Sequence, residues 1–429
     1  MAPAFYPRPS AAPAQLASRS SPTLRIIATS LLICICYLTI GLQLAVVPPF
    51  VHLHLGYSPL VAGLAISAQY AATLLTRPLA GRTADKFGAK RTTCIGLLVC
   101  GAAGIGFTLT SFLQTSPSIC LGVLILSRLF LGFGESWVAT GAIVWGIGRV
   151  GAASTAQVIS WAGIASYGAL AAGAPLGLWL EHQFGLTAIG LVSVTVAGLG
   201  LLWALTIGAA PILAGDELPF GLVLRRIFPH GLSLTLAGIG FGTIASFITL
   251  YYASRNWHNA GLALGAFGAC FVAARLLFVR TINIWGGFRV AIVSLAVQCG
   301  GLLLLWLAAA PATALAGAAL SGLGFALVFP ALGVEAVRKV PEKSRGSALG
   351  IYTAFIDLSM GISGPIAGVI VSAFGYPPIF LFALVTAVVS GLFLAGLWRH
   401  ENRELNKNQS VALTPNLMNQ PFAAKDLLI

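Results

Sequence analysis

Charge is what this chain lacks most. Asp, Glu, Lys and Arg make up 8% of its 429 residues, against about 25% in ordinary soluble domains. Hydrophobic residues reach 58%, with a mean hydropathy of +0.92, so a soluble globular fold is excluded. Histidine is scarce as well, six in all, and none is expected in the core of an apolar run. That removes the base or ligand an intramembrane hydrolase needs. Neither His-Glu-x-x-His nor Gly-x-Ser-x-Gly occurs, nor does a Gly-x-x-x-x-Gly-Lys-Ser/Thr phosphate loop, so ATP is not the expected energy source. The seven cysteines, Cys34, Cys36, Cys94, Cys100, Cys120, Cys270 and Cys299, stand at no metal-ligand spacing and read as small packing residues. No catalytic residue, metal or cofactor is expected, and no enzyme.

Long apolar runs take the place of charge. A span needs about 20 mainly apolar residues, and lipid offers bare backbone no partner, so each run must be a helix. Twelve runs fit: Leu24–Phe50, Pro59–Ala80, Thr92–Ser111, Ile119–Ile143, Val158–Leu180 and Phe184–Ile207, then Gly231–Tyr252, Asn259–Val279, Val290–Ala308, Ala312–Val334, Ala348–Phe374 and Pro378–Trp398. The fold class is therefore an all-α membrane protein. Residues 1–23 are expected to be a disordered cytoplasmic tail, 24–209 an N-terminal six-helix bundle, 210–230 a cytoplasmic linker, 231–400 a C-terminal bundle and 401–429 a disordered cytoplasmic tail.

The formal charge of +13 would suggest nucleic acid in a soluble protein. Here the placement of the basic residues matters more than their sum. With both termini on one side, nearly every Lys and Arg falls on that side and only Arg255 in an opposite loop, which by the positive-inside rule makes that side cytoplasmic. Membrane lipids, and not nucleic acid, are the expected partners of these charges.

Between the second and third runs lies Gly81, Arg82, Thr83, Ala84, Asp85, Lys86, Phe87, Gly88, Ala89, Lys90, Arg91, the pattern Gly-x-x-x-Asp-Lys-x-Gly-x-Lys-Arg. It reads as a short basic hairpin and has a weaker copy downstream. A shift of 198 lays Arg77, Arg82, Thr83, Gly88 and Arg91 onto Arg275, Arg280, Thr281, Gly286 and Arg289, and a shift of 190 lays Pro175 onto Pro365. The chain is thus an internal duplication of six helices. The loop resembles the signature of the major facilitator superfamily, and the overall character resembles uncharacterised bacterial sugar or drug efflux permeases. The resemblance implies two pseudo-symmetric six-helix bundles in the bacterial inner membrane, and a latch built from Gly81, Asp85, Lys86, Gly88, Lys90 and Arg91 that closes the inner side.

Three ionisable groups are expected well inside the spans, where charge is costly and marks function. Arg128 and Glu135 stand seven apart on the fourth helix, about 10 Å along the axis and too far to pair with each other. With Gly132 they resemble the family's fourth-helix motif, whose arginine is associated with proton coupling. Asp357 lies near the middle of the eleventh helix and is a candidate to bind and release a proton. The hinge candidates are Pro175 on the fifth helix and Gly361, Gly364, Pro365 and Gly368 on the eleventh, since proline removes a helix hydrogen bond and glycine tolerates the bend. In this family the first, fourth, seventh and tenth helices line a central cavity, making Tyr37, Gln43, Ser246, Phe325 and Phe329 cavity candidates. Gln69 and Tyr70 join them at the interface between halves. The implied function is secondary transport of a small organic solute by a monomer, coupled to protons as efflux by antiport. Uptake by symport and a non-transporting receptor are the alternatives.

Overall fold

The computed structural model describes residues 21–151, 154–211, 219–341 and 345–418. The first twenty residues, the expected tail, lie outside the described residues, as do parts of the expected linker and of the last segment. The helices are α1 (Pro22–Leu44), α2 (Pro59–Phe87), α3 (Ala89–Thr110) and α4 (Pro117–Val150). A continuous helical stretch, Thr155–Thr206, follows and is broken at Gly185, whose φ of 76° is left-handed. At about 1.5 Å per residue, its 52 residues would run about 78 Å, more than twice the ~30 Å hydrocarbon core. The stretch is therefore two spans, α5 (155–184) and α6 (186–206), joined by the tight turn at Gly185.

The second half supplies α7 (Phe220–Ser254), α8 (Ala260–Phe278), α9 (Gly287–Trp306), α10 (Pro311–Arg338, interrupted after Phe325), α11 (Arg345–Phe374) and α12 (Pro378–Met418). Twelve spans in two sets of six agree with the sequence. Several of their ends differ, α4 for one running on from the predicted Ile143 to Val150. The basic hairpin is not a loop: α2 runs through Phe87, and the turn shrinks to Gly88, with φ 87° and ψ 148°. The downstream copy does the same, a short helix Thr281–Trp285 ending at Gly286 with φ 83° and ψ 155°. Only glycine adopts that conformation without strain, which explains why both copies carry one. The helix α7 starts at Phe220, inside the segment predicted as linker, and α12 runs to Met418, through residues predicted as disordered. The turns added to α7 carry Leu222, Leu224, Arg225 and Arg226, and those added to α12 carry Arg, Glu, Lys, Asn and Leu, residues that a helix tolerates once an apolar span has nucleated it.

The duplicated halves meet along two helix pairs, α2 with α11 and α5 with α8. Between α2 and α11 the approach is backbone on backbone: a Cβ added at Gly63 would collide with the Gly364 carbonyl, and one at Gly368 would press on Leu60. Between α5 and α8, Gly268 sits against Ala171. Thr249 on α7 donates to the Ala45 carbonyl after α1, 3.4 Å away. Gly63, Leu60, Ala45 and Thr249 all lie toward the end of the molecule opposite Ser21, so that end is closed. Gly361, Gly364 and Gly368, expected to be hinges, thus lie along the contact between halves, and Pro175 and Pro365 lie within continuous helices.

Candidate functional site

The site begins with close packing of α2 on α4. Gly132 has no side chain to hold α2 away, and a Cβ there would strike the Gln69 carbonyl. The next turn of α4 therefore brings Glu135 against Gln69 and Thr73. Gln69 Nε2 donates to Glu135 Oε2 at 2.9 Å and Thr73 Oγ1 donates to the same oxygen at 3.0 Å. Glu135 is 1% exposed and no cation lies within ion-pair distance of it among the described residues.

Two turns earlier Arg128 is fully buried. Its Nη1 donates to Gln43 Oε1 on α1 at 3.2 Å, while Nε and Nη2 have no hydrogen-bond partner among the described residues. Asp357 is 2% exposed on α11 and paired, its Oδ2 lying 2.5 Å from Nε of Arg77 on α2. That ion pair joins the two halves at mid-depth. Arg77 is not among the charges expected inside the spans: it stands three residues from the end of its run, at Ala80, although the repeat carries an arginine at the same register.

The same holds for its copy. Arg275 on α8 is 7% exposed. Its Nε donates to the Ala326 carbonyl at 3.0 Å, a carbonyl that Pro330, having no N–H, leaves free four residues on in α10. The guanidinium lies over the rings of Tyr167 at 4.8 Å, Phe271 at 5.0 Å and Phe329 at 5.9 Å. Inside the spans the structure thus adds Arg77 and Arg275 to the three expected charges. It also adds His230, a buried histidine of α7 whose ring faces Phe288 at 5.7 Å, where no histidine was expected.

These groups form one electrostatic cluster. Glu135 interacts with Asp357 and Arg77, Arg128 with Tyr70 and Glu135, and Tyr37 with Glu135, Asp357 and Arg77. Tyr167 interacts with Arg275 and with Asp357. Of the cavity candidates, Gln43 and Gln69 hold the charged groups directly. Tyr37 and Tyr70 stand beside them, and Phe329 walls Arg275. Phe325 stacks on Phe241 at 5.5 Å in the adjoining aromatic cluster. Ser246 is buried with its hydroxyl making no hydrogen bond among the described residues.

Beside Tyr167 and Phe271 lies an apolar cavity of about 20 Å³, walled by Leu44, Leu170, Phe241, Ile244, Leu264 and Phe267 among others. It opens between the halves, where α1, α5, α7 and α8 converge.

The signature loop is not part of this cluster. Asp85 is exposed and makes no hydrogen bond or ion pair among the described residues. Lys90 donates to the carbonyls of Leu205 and Ile207 at 2.9 and 2.7 Å, a cation on the C-terminal end of α6 within its own half. Lys86 lies 5.4 Å from the Phe87 ring. Among the described residues no hydrogen bond or ion pair ties this loop to the other half.

Twelve spans in two repeated sets of six, with buried charges gathered where the sets meet, define a membrane transporter. The Major Facilitator Superfamily model matches residues 29–258 and 231–423, and the chain belongs to that family. An uncharacterised MFS-type transporter of Burkholderia mallei (strain SAVP1) is 54% identical over 386 residues, covering 90% of this chain and 95% of the relative. One of Pseudomonas aeruginosa (strain UCBPP-PA14) is 54% identical over 383 residues, 89% and 95%. Among solved structures, a D-xylose–proton symporter superposes with TM-score 0.74 at 15% identity over 87% of this chain and 96% of its own. The human organic anion transporter MFSD10 gives 0.69 at 16% over 87% and 100%. The protein is a multi-pass membrane transporter of a solute.

Proposed function

We propose that this protein moves a small organic solute across the bacterial inner membrane by alternating access, driven by the exchange of protons at Glu135. The observation that carries the reading is the unequal treatment of two buried carboxyls in one cluster. Asp357 is held by Arg77 across the halves, whereas Glu135 has hydrogen-bond donors on Oε2 and no cation. Among the described residues nothing donates to its Oε1, the oxygen that can take a proton. Arg77 interacts with both carboxylates, so protonating either one changes the strength of the tie between the halves. A proton thereby biases opening against closing.

The basic end, which carries Ser21 and the turns at Gly88 and Gly286, is cytoplasmic by the positive-inside rule. The contacts at Gly63, Gly364 and Ala45 then close the outer end, and the idle Asp85 marks the inner latch as open. Of the two directions of coupling we favour efflux by antiport, in which a proton entering from outside replaces the departing solute at the shared cluster.

The test is a solute panel in energised inside-out vesicles with a pH-sensitive dye. A solute-evoked pH change is expected with the natural protein and not with Glu135→Gln. Equal proton movement in that variant would remove Glu135 from the coupling step.

A further inference from the structure

The two copies of the repeat are built alike around an arginine, and they differ in one respect. The shift of 198 that relates Arg77 to Arg275 goes with the shift of 190 that relates Pro175 to Pro365, and the latter places Tyr167 on Asp357. In space the relation holds: Arg77 reaches from α2 to Asp357 on α11, and Arg275 reaches from α8 to the Tyr167 ring on α5. A Cβ on Gly163, one turn from Tyr167, would lie 2.9 Å from Arg275 Nη1. One copy therefore has its anion and the other has a neutral ring in that place.

The charge count of the cluster agrees. Among the described residues it holds the cations Arg77, Arg128 and Arg275 and the carboxyls Glu135 and Asp357. Guanidinium groups keep their charge inside proteins, so at least one positive charge stays uncompensated even with both carboxyls ionised. Arg128 leaves two nitrogens without a hydrogen-bond partner among the described residues but shares its surroundings with Glu135, whereas Arg275 has no carboxylate beside it: its Nη2 is buried without a hydrogen-bond partner among the described residues, and its neighbours are a carbonyl and three rings. A buried cation left without an anion is costly, and a ligand that brings one recovers that cost on binding. The adjoining cavity is apolar and aromatic, suited to the uncharged part of the same molecule. At about 20 Å³ it holds roughly one water, so admission of a solute requires α5 and α8 to part, which rocking of the halves provides.

We propose that Arg275, walled by Tyr167, Phe271 and Phe329, receives the anionic head of the transported solute, and that the solute is an organic monoanion with an apolar body. The solute's anion takes the place that Asp357 fills in the other copy. The proposal deepens the transporter reading and rests on it for the word transported; the binding claim stands by itself.

The test uses the purified full chain in detergent, with benzoate and 1-naphthoate as probes and benzamide and 1-naphthamide as their uncharged counterparts, followed by melting temperature. At least one carboxylate is expected to raise the melting temperature saturably while its amide does not. In Arg275→Gln and in Tyr167→Asp the apparent affinity should fall at least about tenfold, as expected for losing a charge-assisted bidentate contact, with Arg275→Lys retaining part of it. Neither loss should come from misfolding, since the first variant removes an uncompensated charge and the second adds its partner. No response to either carboxylate, an equal response to acid and amide, or an unchanged response in both variants would overturn the site. In the vesicle assay, a pH change evoked by neutral or cationic solutes but by neither carboxylate would remove the anion assignment and leave proton-coupled transport standing. Carboxylate binding with no solute-evoked pH change at all would do the reverse.

Discussion

At the scale of the residue, the buried charges fall into two kinds with opposite responses to substitution. Asp357 and Arg77 satisfy each other, and breaking such a buried pair typically costs about 3–5 kcal/mol because one charge is left behind, whereas replacing both partners by apolar groups of like volume is often neutral. Asp357→Asn is therefore expected to lower the melting temperature in detergent sharply, and the double variant Arg77→Met, Asp357→Leu to recover most of it while transport stays lost. A double variant no more stable than Asp357→Asn would show that the pair is not a unit. Glu135 is of the second kind. Glutamine keeps an oxygen that accepts from Gln69 and Thr73, so Glu135→Gln should change stability by less than about 1 kcal/mol, the worth of one ordinary hydrogen bond, and still abolish solute-evoked proton movement. Arg128, Glu135 and Asp357 were legible in the sequence because each stands in the middle of an unbroken apolar run. Arg77 and Arg275 were not, because each lies near a run's end, where hydropathy cannot tell a buried arginine from one that reaches the surface. The repeat carried that information: an arginine kept in both copies at the same register.

At the scale of the element, the decisive contacts are those where helix backbones touch. Twelve spans were readable from run length alone, since lipid leaves no other structure for a run of that length. The phase of each helix was not readable, because a helix apolar on every face has no polar side to orient it. Gly364 and Gly368, expected as hinges, are also contact surfaces, with Gly63 and Leu60 of α2 against them. Small residues at such crossings are what let membrane helices approach. Gly63→Ala puts a methyl group on the Gly364 carbonyl and must push α2 from α11 at the closed end. The expected result is a shift of population toward the form open at that end, read as faster labelling of a cysteine placed at Ser67 from the outer face of intact cells. Unchanged labelling, with the variant inserted and folded, would mean that the α2–α11 crossing does not set the closed state.

At the scale of the whole molecule, the conformation seen is closed at the end opposite Ser21. The ties there are the glycine crossing and the Thr249 contact. At the other end Asp85 stands exposed, with no hydrogen bond or ion pair among the described residues, while Lys90 is committed to carbonyls of its own half. The signature therefore contains a part that braces one bundle and a part held in reserve. A carboxylate of that kind finds a partner only when the halves rock the other way, the positive N-terminal end of a facing helix being the suitable one. An exposed side chain with no contact contributes little to the stability of this state, within about 0.5 kcal/mol. Asp85→Asn should thus insert, fold and melt like the natural protein, yet spend less time closed at the basic end and cycle more slowly. The two consequences are measured on one sample: turnover in proteoliposomes, and the distance between spin labels placed on Arg82 and Arg225 across the basic end. Normal turnover with an unaltered distance distribution would reduce the loop to a marker of topology. A slowed cycle with a lost short-distance population would establish that Asp85 acts in the conformation opposite to this one.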